Sequence, residues 1–264
     1  MIETAICDDV ASHRLTWWRS RTIGYGVHVY AVRGVLIDTG FPAVARDIRA
    51  LVRSARVRGA MVTHQHEDHA GNIELLASLG LPIAIGDLTR GAISAPHPIG
   101  LYRQYTWRAM TPLRSPIAPF HDASLELVPT PGHSVDHHVV WDHDTATLFA
   151  GDLFLGVKVR IAHPYEDPCA AVRSLRAMIA RRPLRMFCGH RGAVRDPIGA
   201  LTAKADWTDA LITDIERLHR EGADHTEIRR RLLGPRGRVH WISRGDYSPD
   251  NIVRAVLRDR APRG

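Results

Sequence analysis

Apolar residues recur along this chain in two rhythms. VHVYAV (27–32) and VLIDT (35–39) are short β-type runs, and Arg33-Gly34 between them predicts a tight hairpin turn. Pro42 opens a helical stretch to about Ser54, since proline is tolerated in a first turn. AMVT (60–63) and PIAI (82–85) predict short buried strands. Between them AGNIELLASLG (70–80) has helical spacing and ends at a glycine. Residues 91–121 interrupt the rhythm with five prolines around one predicted short helix, GLYRQYTWRAM. SLELVPT (124–130), HHVVWD (137–142) and ATLFA (146–150) predict three more strands. PCAAVRSLRAMIARR (168–182) predicts an amphipathic helix and LRMFC (184–188) a last strand. After Pro197 the spacing is helical, in pieces near 198–221, 224–233 and 248–259. The pattern predicts a mixed α/β unit over 1–202 and a C-terminal helical region over 203–264.

Composition changes this picture little, apart from one residue type. A chain of 264 residues, 45% hydrophobic and 24% charged, has enough apolar content for a buried core and is not disordered. Three cysteines cannot build a disulfide framework. No apolar run approaches the ~18 residues of a membrane span, and the first residues lack a signal-peptide core. The expected location is cytoplasmic, with no membrane partner. The net charge of +7 is dispersed: residues 1–202 carry 22 basic and 18 acidic side chains, and 203–264 carry 13 and 10. Nucleic-acid binders usually concentrate such charge, so nucleic acid is not the expected partner, and the dispersed charge does not identify the substrate. The expected substrate is a small molecule. The unusual number is sixteen histidines.

Four segments gather strong metal ligands: THQHEDH (63–69), TPGHS (130–134), AGDLF (150–154) and CGHRG (188–192). Each follows a predicted strand, so four loops at one sheet edge would bring their side chains together. His64 and His66 alternate in an extended loop and point to the same side. Asp68 and His69 follow where the chain turns into the next helix. A single zinc needs only three or four protein ligands. The seven candidates His64, His66, Asp68, His69, His133, Asp152 and His190 suit two ions. A lone HQHEDH stretch could be a solvated polar turn, but three further ligands at strand ends argue against that.

These residues resemble the metallo-β-lactamase fold superfamily, whose signature is HxHxDH followed by a distant His, Asp and His. The resemblance covers roughly residues 25–195 and includes LIDTG (36–40). It implies a four-layer αβ/βα sandwich with a C-terminal helical extension. It also implies that His64, His66 and His133 hold one ion, that Asp68, His69 and His190 hold a second, and that Asp152 bridges. Two zinc ions are expected, with iron or manganese compatible with the donors. The implied chemistry is hydrolysis of an ester-like bond, a thioester or lactone, by a metal-bridging hydroxide, with Asp68 orienting the nucleophile or moving a proton. Asp152 departs from true zinc β-lactamases, which generally lack the bridging aspartate. Glyoxalase II shares all seven ligands, but its basic glutathione-gripping motif is not evident in 203–264. The other readings are a phosphodiesterase or endoribonuclease on RNA or single-stranded DNA, an iron-dependent persulfide dioxygenase-like enzyme, and a metal-binding sensor whose C-terminal helices contact DNA.

Substrate-side candidates come from two places. In the 91–121 insert, Tyr102, Arg103, Tyr105, Trp107 and Arg108 alternate aromatic and basic character. They form either an acyl pocket with an anion grip or, as favoured, a helix packing aromatics on the core with arginines in water. In IAHPYEDP (161–168), His163 and Tyr165 could reach the pocket and donate to an oxyanion. His163 and Trp107 are the chosen substrate-binding candidates. Asp38 is expected to brace the site by hydrogen bonds, and Cys188 to be a small buried hydrophobe. Of His137 and His138 one faces inward, neither completing the ligand set. Arg229, Arg230 and Arg231 are expected to form a solvated helix face, and the C-terminal helices to pack beside the site or to form a subunit interface in a homo-oligomer.

Overall fold

The computed structural model describes residues 1–258. Strands β1 (Ile2–Cys7), β2 (Val10–Leu15), β3 (Val27–Val32), β4 (Val35–Ile37), β5 (Gly59–Met61) and β6 (Ile83–Ala84) form a six-stranded sheet in that order. Strands β7 (Leu125–Pro129), β8 (His138–Asp142), β9 (Thr147–Phe149), β10 (Arg185–Cys188) and β11 (Gly192–Val194) form a five-stranded sheet ordered β11-β10-β9-β8-β7. The helices are α1 (Trp18–Thr22), α2 (Ala45–Ser54), α3 (Ile73–Ser78), α4 (Asp87–Ser94), α5 (Leu101–Thr106), α6 (Pro168–Ala180), α7 (Pro197–Arg220), α8 (His225–Leu232), α9 (Arg238–Ile242) and α10 (Pro249–Arg258). No helix among the described residues is long and apolar enough to cross a membrane.

Alternation along the strands builds the layers. In β3, Val27 and Val29 face α2 and α3, in a core with Ile48, Leu51, Ile73 and Leu76. Tyr30 and Val32 face the other way and meet Val140, Phe149 and Phe187 of the second sheet. The outer face of that sheet, through Val139, Trp141 and Leu148, packs on Leu175 and Met178 of α6 and Leu201 and Ala205 of α7. A period of two sends alternate residues to opposite faces, so each sheet is apolar on both sides. The result is the expected αβ/βα sandwich. At the predicted hairpin, Arg33 (φ 48°) and Gly34 (φ 76°) both lie in the left-handed region that a two-residue turn of this kind requires.

Strand direction selects the edge that carries the chemistry. β4 pairs parallel with β5, and β9 parallel with β10. β7 and β9 each run antiparallel to β8 between them. The chain therefore leaves β7, β9 and β10 at one edge of the second sheet, and leaves β4 and β5 at one edge of the first.

Several elements differ from the sequence reading. The helix expected from Ala70 begins at Ile73, because the loop first closes tight turns, with the His69 and Ala70 amides donating to the His66 carbonyl. The β1–β2 hairpin has no counterpart in the sequence pattern: β1 is exposed at most positions and has no apolar alternation to detect. Helix α4 falls partly in the proline-rich stretch, with Gly91 inside it. β11 and α9 are too short to show a period. The last predicted helix extends to 259, and Asp259 lies outside the described residues.

Beyond α6 the helices share a core of Leu211, Ile215, Ile228 and Val253, which Ala162 joins from the αβ layers. Ala162 also forms an antiparallel bridge with Ser248. Buried Asp250 ties the region together. It accepts from Arg236 at 2.7 and 3.0 Å and from the Ser248 hydroxyl at 2.8 Å, and faces Arg229 at 3.4 Å. Arg229 is thus buried rather than in water, a correction to the expected solvated face, while Arg230 and Arg231 are exposed. Burial opposes ionisation of Asp250, but Arg236 and Ser248 outweigh it and bring the carboxyl from 3.8 to about 2. Removing one partner of a buried charge network typically costs about 3 kcal/mol. Asp250→Ala is expected to lower stability by about that much, read from the urea midpoint. A carboxyl depressed on folding stabilises above its unfolded value and loses that contribution as pH falls through its folded value. The gap between wild type and variant therefore closes as pH falls from 3.8 to about 2. An unchanged midpoint at neutral pH would contradict the anchoring role.

Candidate metal centre

The loops after β5, β7, β9 and β10 meet at the common edge, and their donors fall into two groups. His64, His66, His133 and Asp152 form one; Asp68, His69 and His190 form the other. Within each group the donor atoms lie within 4.8 Å of one another. His66 Nδ1 is 3.0 Å from both His64 Nε2 and His133 Nε2. His190 Nε2 is 3.2 Å from Asp68 Oδ2. Asp152 reaches both groups: Oδ1 is 3.3 Å from His69 Nε2, and Oδ2 is 3.4 Å from both His133 Nε2 and His190 Nε2. All seven sequence candidates are therefore brought together, with His64 and His66 on one side and Asp68 and His69 on the other.

The outward ring nitrogens are held, which sets the inward ones. His190 Nδ1 donates to the Gly26 carbonyl at 2.9 Å, leaving the Nε2 lone pair facing inward. His69 Nδ1 donates to Asp38 Oδ2 at 2.7 Å, with the same consequence. Asp38 also accepts the Thr63 amide at 2.8 Å and the Thr63 hydroxyl at 3.0 Å, bracing the first loop as expected. Its φ of 61° is left-handed, a conformation aspartate tolerates. His64 Nδ1 lies 2.9 Å from the Thr63 hydroxyl, His66 Nε2 lies 2.8 Å from the Tyr165 hydroxyl, and His133 Nδ1 lies 3.8 Å from Glu166. Gly189 lets the loops close: a Cβ there would stand 2.7 Å from the His69 ring and 2.9 Å from Asp152 Oδ1.

This donor set fits a cation. His69 Nε2 and Asp152 Oδ1 are buried without a hydrogen-bond partner among the described residues, although 3.3 Å apart. Two acceptors facing each other in a dry site are costly unless a positive charge lies between them. Burial, with the neighbouring His69 and His66 rings, pushes His64 well below the ordinary histidine value. Burial works against ionising Asp152, yet His190 and His69 hold its carboxyl well below the usual carboxylate range. In the other direction, Asp152, Asp38 and Asp68 outweigh burial and push His69 well above the ordinary histidine value, Asp152 and Asp68 do the same to His190, and Glu166 and Asp152 raise His133. The carboxylates thus call for positive charge at the cluster, which a metal ion supplies in place of protons.

The substrate-side candidates lie around this cluster. His163 is fully buried, with neither ring nitrogen hydrogen-bonded among the described residues. It stacks on Tyr165 at 4.9 Å between centroids and stands 5.8 Å from the His66 ring. Trp107 is 5% exposed, packs against Phe41 at 4.9 Å, and backs the His190 ring at 6.4 Å. Arg103 corrects the favoured reading of arginines in water. It is buried, pairs with Glu67 through two nitrogens, and lies 3.3 Å from the Tyr165 hydroxyl. The insert is thereby clamped to the HQHEDH loop. Cys188 is buried, and its thiol donates to the Phe154 carbonyl at 2.7 Å. His137, which the sequence reading leaves outside the site, has a part in it. Its Nε2 accepts the Asp152 amide at 3.0 Å, so Nδ1 donates to the Thr130 hydroxyl at 2.9 Å. Strand alternation marks one of the His137–His138 pair as inward, but only tertiary pairing identifies its partner.

Partners behind a metal-ligating histidine typically matter by 10–100-fold in metal affinity. Asp38→Ala is expected to weaken metal binding by about that factor, measured by competition with a chromophoric chelator. Wild-type affinity in that variant would contradict the role given to the Asp38–His69 bond.

The profile described as the metallo-beta-lactamase superfamily matches residues 23–190. A beta-lactamase-like protein 2 homolog of Drosophila melanogaster is 29% identical over 189 residues, 64% of this chain and 58% of the relative. A hydroxyacylglutathione hydrolase of Methylococcus capsulatus is 31% identical over 192 residues, 69% of this chain and 68% of the relative. The chain thus spans little more than half of the Drosophila protein, and 54% of a Caenorhabditis elegans homolog of the same name. Among solved structures, a metallo-beta-lactamase family protein from Thermus thermophilus superposes with a TM-score of 0.70 at 16% identity, covering 97% of this chain and 95% of its own. The fold, the profile match and the paired donor groups lead to one conclusion: this chain belongs to the metallo-β-lactamase superfamily.

Proposed function

We propose that the chain is a metal-dependent hydrolase with two zinc ions that cleaves a small-molecule ester-like bond, foremost a thioester or lactone. The observation that carries this reading is Asp152, whose two oxygens face donors of both groups. His64, His66 and His133 would hold one ion, Asp68, His69 and His190 the other, and Asp152 both. Bound there, the pair would supply a Lewis acid and a water-derived nucleophile at neutral pH. Asp68 would hold a proton at Oδ2 during leaving-group departure. His163, whose Nδ1 lies 3.4 Å from Asp246 Oδ1 and whose Nε2 has no hydrogen-bond partner among the described residues, is the substrate-side donor, and Trp107 supports His190 from behind. The relatives named hydroxyacylglutathione hydrolase favour a thioester, without fixing glutathione as its thiol. In this reading residues 1–202 are the catalytic unit, 203–264 form a wall beside it, and the enzyme works in the cytoplasm on a small molecule.

Nucleic acid is the weaker reading for a physical reason. Arg103 is paired to Glu67, and Arg229 faces Asp250 beside the Arg236 pair, so these arginines are not free to bind phosphates. The test is zinc-loaded protein against a thioester, a lactone, a phosphodiester and a short RNA. Thioester or lactone turnover is expected, with kcat/KM lowered about 1,000-fold or more in His66→Ala and Asp152→Ala. Cleavage of RNA alone, or full activity in Asp152→Ala, would overturn the proposal.

A further inference from the structure

Two stretches of the chain hold arginine without any acid. Residues 10–37 and 88–121 together carry eight arginines and no aspartate or glutamate. The fold lays part of one on part of the other, with α1 against α5. Three of the eight are neutralised from elsewhere: Arg14 by Glu3, Arg33 by Asp9 and Asp142, and Arg103 by Glu67. Arg19 and Arg21 of α1 and Arg108 just after α5 make no ion pair among the described residues. Arg21 lies beside Met1, whose amine already pairs with Asp47.

Aromatic rings interleave with these charges. The Arg19 guanidinium stands 5.2 Å from the Trp17 ring, 4.9 Å from Trp18 and 5.1 Å from Tyr105, and the Arg108 guanidinium stands 5.0 Å from Trp17. Trp17 is fixed by its indole N–H, which donates to the Thr106 carbonyl. A staple between two short helices would bury its rings, yet Trp18 is 61% exposed and Tyr105 40%. Arg19 is half-buried, and its Nε has no hydrogen-bond partner among the described residues. Exposed ring faces with unneutralised guanidinium groups beside them supply both halves of nucleotide recognition: a base stacks on the ring, and its phosphates meet the arginines. The patch adjoins the metal donors, since Trp107, next to Arg108, stands 6.4 Å from the His190 ring.

We propose that this patch binds a nucleotide, the part of a thioester substrate that carries its thiol, with the base on Trp18 and the phosphates at Arg19 and Arg108. The assignment to substrate rests on the thioester hydrolase reading; nucleotide binding itself requires no turnover. ADP and adenosine are titrated calorimetrically into zinc-loaded protein, while the indole N–H resonance of Trp18, assigned with Trp18→Phe, is followed by NMR. ADP is expected to shift that resonance and to bind about tenfold more tightly than adenosine. Trp18→Ala should weaken ADP about tenfold, and Arg19→Gln combined with Arg108→Gln should remove the preference for ADP. Affinity for ADP should survive chelation of the metal, which separates the patch from the donor cluster. In turnover, the ratio of kcat/KM for acetyl-coenzyme A to that for the same thioester cut back to its N-acetylcysteamine end should fall about tenfold in Trp18→Ala. Equal binding of ADP and adenosine, an unchanged preference in the double arginine variant, or loss of ADP binding on chelation would each overturn the proposal. An eight-nucleotide RNA that binds more tightly than ADP, falls off steeply with salt and is cleaved would assign the patch to nucleic acid and overturn it too. ADP binding at Trp18 without thioester hydrolysis would leave the nucleotide site standing and remove the thioester reading. Thioester hydrolysis with no response at Trp18 would do the reverse.

Discussion

Seven donor atoms face one another in a space from which water is nearly excluded, and that repulsion is the constraint on which the rest of the molecule turns. His66 Nδ1 stands 3.0 Å from two other ring nitrogens, and Asp152 presents its oxygens to three histidines within 3.4 Å. No single proton satisfies such a cluster. Positive charge among the donors does, and it accounts for His69 Nε2 and Asp152 Oδ1 being buried without hydrogen bonds among the described residues. An edge built this way is stable only if the scaffold prevents the rings from turning away.

Much of the surrounding structure serves that end. Asp38 joins β4 to β5 through Thr63 and fixes His69 in the same step. Gly26, at the entry to β3, fixes His190 from the second sheet, so the two sheets are tied across the site. His137 holds the Asp152 amide and Thr130 together. The insert reaches the cluster from the far side, where the Glu67–Arg103 pair carries Tyr165 to His66. The C-terminal helices close the remaining side through the Ala162–Ser248 bridge and the Asp250 network.

The parts legible in the sequence are those with a local period or a dense motif. The β3–β4 hairpin shows as two apolar runs around Arg33-Gly34, and the ligand loops show as histidines and aspartates at strand ends. The N-terminal hairpin is hidden because β1 buries almost nothing, and no alternation marks it. Arg103 reads as a surface arginine because its partner Glu67 is 36 residues away. His137 reads as spare because its partner, the Asp152 amide, lies 15 residues on. Metal-ligand motifs are written in consecutive residues, whereas the partners that orient them are written in tertiary contacts.

The most direct measurement is anomalous diffraction at the zinc edge from crystals of the zinc-loaded protein. Two peaks are expected, one among His64, His66 and His133 and one among Asp68, His69 and His190, with Asp152 between them. A single peak, or two that leave Asp152 without contact to either, would contradict a shared centre.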